Sequence, residues 1–171
     1  MYELFQILQQ QIENKYGIPV IITDVPEPFT GDLDGASIYV DIDEDIDSAL
    51  FILVHLFGHT VQWSLCEDAR RIGQAVPEPT DEAFLKQLRI YEEQACRYSL
   101  QLFHDVGVND FDQWLSDFAA CDFAYLDHFY RTGEKRDARS FWKPGQRILE
   151  PLPLPEFTPR RWKSRLSGIV L

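Results

Sequence analysis

The chain has 171 residues, 45% of them apolar and 26% charged, which is the make-up of one folded domain with a real core rather than of a disordered chain. Its formal charge of −12 repels nucleic-acid phosphates and argues against nucleic acid as the partner of the whole protein. No uninterrupted apolar run reaches the roughly 18–20 residues that span a bilayer, the first residues lack the basic start and cleavage site of a secretory signal, and three cysteines (Cys66, Cys96, Cys121) without a C-x-x-C pair fit reduced thiols in a cytoplasmic protein.

Residues 2–15 place Leu4, Phe5, Leu8 and Ile12 on one side at helical spacing, and Gly17 closes that helix. "IPVIITDV" is β-branched and predicts a strand ending before Pro26 and Pro28. "FTGDLDG" carries turn chemistry, and "ASIYVDID" predicts a second strand. Asp45 or Asp47 can cap a helix from about Ser48 to Leu65 that is apolar nearly all round, hence central and buried. A looser stretch with Pro77 and Pro79 leads to a helix from about Thr80 to His104, and another covers about Asp110–Tyr130 with Phe111, Trp114, Leu115, Phe118 and Phe123 as its apolar side.

After Gly133 the composition shifts. From Arg131 to the end there are ten Lys or Arg against Glu134, Asp137, Glu150 and Glu156, whereas Lys15 is the one basic residue up to Cys66, against eleven acids. "KPGQRILEPLPLPEFTPRRW" has too many prolines for a helix and predicts an extended strap from about Lys143 to Leu171. Its apolar anchors, Trp162 and the terminal "IVL", should lie against the domain, and Arg160, Arg161, Lys163 and Arg165 near acidic surface. The expectation is α+β: a helix-dominated domain over residues 1–133 with a small sheet, and a tail over 134–171 packed on it.

The chemistry concentrates in "FILVHLFGHTVQW", residues 51–63. His55 and His59 stand four apart, so both project from one helix face, the spacing at which two imidazoles hold one zinc. Catalytic zinc takes a third protein donor, and Glu92 in "YEEQAC" is the candidate, with Ala95 and Ser99 following at helical spacing. The alternative is a buried helix whose histidines are satisfied within the core. Gly58 favours a functional reading, because glycine inside a helix costs about 1 kcal/mol relative to alanine and implies a close backbone approach. His104 and His128 are isolated near helix ends, where capping or surface roles suffice, although His104 could line a site. The cysteines read as small buried apolar residues, with Cys96 placed to lie near a metal.

"KYGIPVII", "GDLDGASIYVD" and "HLFGH" stand in the order and at the distances of the motifs of ImmA/IrrE-type metallopeptidases, and "EEQACRYSLQLF" is similar to that family's downstream E-x-x-A-x-x-F-A-x-x-L-L signature. The resemblance covers about residues 5–105 and leaves the proline-rich tail outside. It implies a zincin-like fold, zinc as the candidate cofactor with His55, His59 and Glu92 as its ligands, and a protein partner, such as a helix-turn-helix repressor.

One departure bears on activity. The family has a general-base glutamate directly after the first histidine, and here that position is Leu56. Losing a positioned base costs about 10²–10⁴-fold, so the chain reads as an impaired peptidase that acts by binding. Two alternatives remain: an active hydrolase with a relocated base, for which Glu93 is the neighbouring carboxylate, and a metal-free interaction domain.

Overall fold

The computed structural model describes residues 1–26, 29–75 and 81–162. Helix α1 (Tyr2–Tyr16) buries Phe5, Leu8 and Ile12, about one residue per turn on a single face. Gly17 ends it in the left-handed conformation, φ 67°, with its N–H donating to the Glu13 carbonyl.

Three short strands follow: β1 (Val20–Thr23), β2 (Gly31–Leu33) and β3 (Ile38–Asp41). Their order is β1-β3-β2, with β3 parallel to β1 and antiparallel to β2, so that Ile38 stands opposite both Val20 and Leu33. Strand β2 lies inside the stretch expected to be a turn. Gly and Asp are poor strand formers, but the reversal is compressed into Asp34–Ser37, where the Asp34 carboxylate accepts from the amides of Ala36 at 2.8 Å and Ser37 at 2.7 Å. Gly35 supplies the positive φ of 90° that the tight turn needs, which frees residues 31–33 to pair.

Helix α2 (Ile46–Leu65) starts two residues before the expected Ser48, capped by Asp45, whose side chain accepts from the Asp47 and Ser48 amides. Every residue from Leu53 to Trp63 is buried, as a helix apolar all round requires. Among the described residues it is the one helix long and apolar enough to cross a bilayer, where the sequence led us to expect none; 78% of that window is buried inside the protein.

A short helix, α3 (Glu67–Gly73), was not anticipated. Helix α4 (Glu82–Asp105) is capped by the Asp81 side chain on the Phe84 amide, and α5 (Asp112–Thr132) ends at Gly133, again with positive φ. Thr80, the expected start of α4, lies outside the described residues. The fold is therefore α+β and mostly helical, with five α-helices and a small three-stranded sheet among the described residues.

Helices α2 and α4 form the central seam, and small residues set its width. A Cβ added at Gly58 would stand 2.7 Å from the Ala95 carbonyl carbon and 2.9 Å from its Cα. The close approach inferred from Gly58 is thus a contact with α4 backbone. One turn away, Ser99 Oγ donates across the seam to the Val54 carbonyl at 2.7 Å.

After a 3-10 turn at Ala138–Phe141, residues 142–162 carry no helix or strand. Leu149, Leu152, Leu154, Phe157 and Trp162 pack on the core. The backbone of this segment donates from Leu152 to the Arg97 carbonyl, from Arg160 to Gly35 and from Trp162 to Asp34 at 2.8 Å. Arg161 reaches the buried Asp34 carboxylate at 2.9 Å. Lys163, Arg165 and the terminal "IVL" lie outside the described residues.

Candidate metal centre

On α2, positions 55, 59 and 62 share one face at i, i+4 and i+7, and the tight Gly58–Ala95 seam brings α4 onto that face. The result is convergence of three donor atoms. His59 Nε2 lies 2.9 Å from His55 Nε2 and 3.0 Å from Glu92 Oε2, and His55 Nε2 is also 3.0 Å from Glu92 Oε2. All three residues are buried, with His59 only 3% exposed.

Ligands at about 2.0–2.1 Å from a tetrahedral zinc stand about 3.3 Å apart, so these atoms are close to ligating separation. Two imidazole nitrogens and a carboxylate oxygen this close, away from water, need a proton or a cation between them. The donor chemistry fits: two histidines and one glutamate are a recurrent three-ligand set for zinc. This buried group could hold a metal.

The neighbours fix the rings. His59 Nδ1 meets Gln62 Oε1 at 2.9 Å, and His55 Nδ1 meets Cys96 Sγ at 3.3 Å. The Gln62 amide nitrogen donates in turn to the Tyr91 carbonyl at 2.8 Å and to Gln94 at 2.9 Å. Phe51 stacks on His55 with centroids 5.1 Å apart, and Tyr91 stacks on His59 at 4.4 Å. Both imidazoles are thus held by a stacked ring and an Nδ1 partner, the arrangement that orients metal-ligating histidines.

Burial alone would raise the Glu92 pKa, but His59 and His55 beside it hold it down to about 2. Burial pushes the Tyr91 hydroxyl and the Cys96 thiol well above their usual ranges. On α5, Asp122 behaves oppositely to Glu92. Burial raises it to about 7, with His55 lowering and Glu92 raising it.

Leu56 belongs to the core, and its Cδ1 would be 2.9 Å from a Cβ built on Gly31 of β2. It fills space between α2 and the sheet. Glu93 is half-buried and is not part of the convergent group. His104 pairs with Asp112 at 2.8 Å and His128 lies 3.6 Å from Glu134, so neither joins the centre. All three cysteines are free thiols, and Cys96 is the one that touches the cluster.

Three participants were not singled out from sequence. Gln62 could have been, since it lies three residues after His59 on the same face. Tyr91 adjoins Glu92 but gives no signal of its own. Asp122 is invisible until α5 is packed, because nothing local links it to His55. A cleft of about 510 Å³ between α4 and α5 runs to Glu92, with Leu85, Leu88, Ala120 and Phe123 among its walls and Lys86 and Arg89 beside it. Comparisons with protein-family models, curated proteins and solved structures find no match to this chain.

Proposed function

We propose that this protein is an ImmA/IrrE-like, zincin-type metal-binding protein with impaired peptidase chemistry, acting in the cytoplasm by binding a protein partner such as a helix-turn-helix repressor. The observation that carries this reading is the convergence of His55 Nε2, His59 Nε2 and Glu92 Oε2 within 3.0 Å, next to a leucine in the position of the general base. Zinc held by His55, His59 and Glu92 would supply Lewis acidity. The chain's own contribution is to orient the donors through Gln62, Cys96, Phe51 and Tyr91 and to exclude water from the α2–α4 seam. What Leu56 lacks is any atom to accept a proton from an attacking water, which removes the 10²–10⁴-fold that a positioned base provides. Residues 1–133 then form the metallopeptidase-like unit, and the proline-rich segment after it is a strap laid over that unit.

A second reading is an active hydrolase with a relocated base, and Asp122 favours it over Glu93. Asp122 on α5 is a carboxyl whose charge is felt at both His55 and Glu92, which makes it the further candidate for that role.

The deciding experiment measures zinc content of untagged protein, then cleavage of casein and of a candidate repressor with and without zinc. Wild type, Leu56→Glu, Leu56→Glu/His59→Ala and Asp122→Asn are compared. Zinc-dependent cleavage gained by Leu56→Glu and lost in the double variant supports the pseudo-peptidase. Zinc-dependent turnover by wild type, abolished by Asp122→Asn, overturns it in favour of the relocated base. If no variant binds zinc, the histidines are core residues and both readings fall.

A further inference from the structure

The cleft between α4 and α5 has a chemistry of its own, apart from the donors at its inner end. Ala120 and Ala124, four apart on α5, are short enough to leave room between the helices, and Leu85, Leu88 and Phe123 give that room apolar walls. Its volume of about 510 Å³ falls in the range of about 300–1,000 Å³ over which clefts take ligands. Glu82 and Glu92, ten residues apart on α4, both line it. At about 1.5 Å of rise per residue the cleft is therefore about 15 Å long. That is the length of about four or five residues of extended chain, at roughly 3.3 Å each.

The charges around the cleft are not equally free. Arg131 holds Glu82 and Asp127, and both imidazoles face Glu92. Lys86 and Arg89 are exposed on the same stretch of α4 and form no ion pair or side-chain hydrogen bond among the described residues. The chain has 28 aspartates and glutamates against 16 lysines and arginines, so a cation has many acids with which to pair. Two that stay free, one turn apart at the edge of an apolar cleft, complement a ligand that brings carboxylates together with apolar groups. A basic ligand would meet repulsion at the same place.

We propose that the α4–α5 cleft is the docking groove for a protein partner, and that it takes a short extended segment alternating apolar with acidic side chains. As a partner site it rests on the reading above that the protein acts by binding another protein, and it is independent of whether an ion is held beside Glu92. In an extended segment successive side chains point to opposite sides. One set fills the space between Leu85, Leu88 and Phe123, and the other stays at the rim, where the long Lys86 and Arg89 side chains reach it. Arg89 precedes Glu92 by one turn, about 4.5 Å along the axis. A carboxylate held by Arg89 thus sets the segment one or two residues from the His55, His59 and Glu92 group. Lys86 and Arg89 decide which segment is accepted, and the two alanines provide the room.

The test is fluorescence anisotropy of dye-labelled, end-blocked peptides on full-length, untagged protein, with and without one equivalent of Zn²⁺. One peptide alternates leucine with glutamate between serine-glycine ends, and two others carry glutamine or lysine in place of glutamate. Two charge contacts in a wet setting should make the glutamate peptide bind about tenfold more tightly than the glutamine one. Lys86→Glu/Arg89→Glu should reverse the preference in favour of lysine. Lys135→Glu/Arg136→Glu, the same charge change outside the cleft lining, should leave it unaltered. Ala124→Leu, which fills the room, should weaken the glutamate and glutamine peptides alike, with a urea midpoint to show that it folds. Equal binding of those two peptides, binding of neither, or a charge reversal without effect overturns the groove. So does a dimer in sedimentation that Ala124→Leu dissociates, which makes the occupant a second copy of this chain. A candidate repressor bound equally by wild type and Lys86→Glu/Arg89→Glu removes the groove but leaves partner binding standing. Zinc content of the same samples keeps the metal centre separate: peptide bound without zinc leaves the groove and removes the metal reading.

Discussion

Two of the three glutamates of helix α4, Glu82 and Glu92, stand ten residues apart, and both line the same cleft against α5. Each is bound to basic groups, yet the settings differ in every physical respect. Glu82 grips Arg131 through two nitrogens, and Arg131 also reaches Asp127 at 2.9 Å, all on exposed side chains. The Arg131 hydrogen bond lowers the Glu82 pKa, but water and salt screen such a pair, and exposed pairs contribute little to stability. Glu92 is buried, 7% exposed, and lies against two imidazoles where the cleft meets the α2–α4 seam. There an unmatched charge is expensive and a bound cation resolves it. The same residue type on the same helix is a surface clasp at one end and a candidate ligand further along. Burial, not residue identity, separates the two.

The sharpest way to break that contrast is to neutralise each glutamate and titrate zinc. A ligand that binds only the folded state at 1,000 times its Kd stabilises it by about 4 kcal/mol. Urea unfolding of wild type with zinc against chelator should show an increment of that order at such an excess. Glu92→Gln should lose the increment and Glu82→Gln should keep it. Equal behaviour of the two variants would mean that the seam holds no metal.

A smaller effect tests the seam itself. Gly58→Ala gains about 1 kcal/mol of helix propensity, but its Cβ meets the Ala95 backbone. Overpacking of this kind costs about 1–3 kcal/mol, so the urea midpoint should fall with an unchanged m-value. A rise in the midpoint would show that α2 and α4 stand further apart than described.

The third prediction concerns Asp122 and is carried by pH. Its folded pKa of about 7, raised chiefly by burial, lies well above the ordinary value of 3.8. Between about pH 4 and pH 7 the folded state therefore binds more protons than the unfolded one, and stability falls as pH rises. Below that window the carboxyl costs nothing, and above it the cost is fully present. In chelator-treated protein Asp122→Asn should raise the melting temperature relative to wild type at pH 8 and leave it nearly unchanged at pH 4.5. The same difference at both pH values would place Asp122 in a wet, unperturbed setting.

Much of this was legible in the residues. The i, i+4 histidines, the glycine between them and Glu92 with Ala95 on the next long helix were enough to place three donors and a tight seam, because helical period turns spacing into direction. The Asp45 cap and the Gly17 stop were legible for the same reason: their chemistry is local. Strand β2 was not, since Gly31 and Asp32 favour turns, and the pairing with Val40 and Tyr39 that holds them extended comes from β3. Helix α3 lacked a side-chain cap of its own and depends on its packing after α2.

The sequence by itself determined the helix-dominated α+β class, the central helix, the shared face of His55 and His59, and Glu92 as a candidate third donor. These follow from periodicity, capping and residue chemistry within a few turns of chain. Only the tertiary structure decided that Gln62 and Cys96 grip the two imidazoles differently, that Tyr91 and Phe51 stack on them, and that Asp122 on α5 shares their field. Those relations join residues up to 67 positions apart, as Asp122 is from His55, and what links them is the dry space between packed helices, where the energy of a charge or a hydrogen bond is set by neighbours that the local chain does not contain.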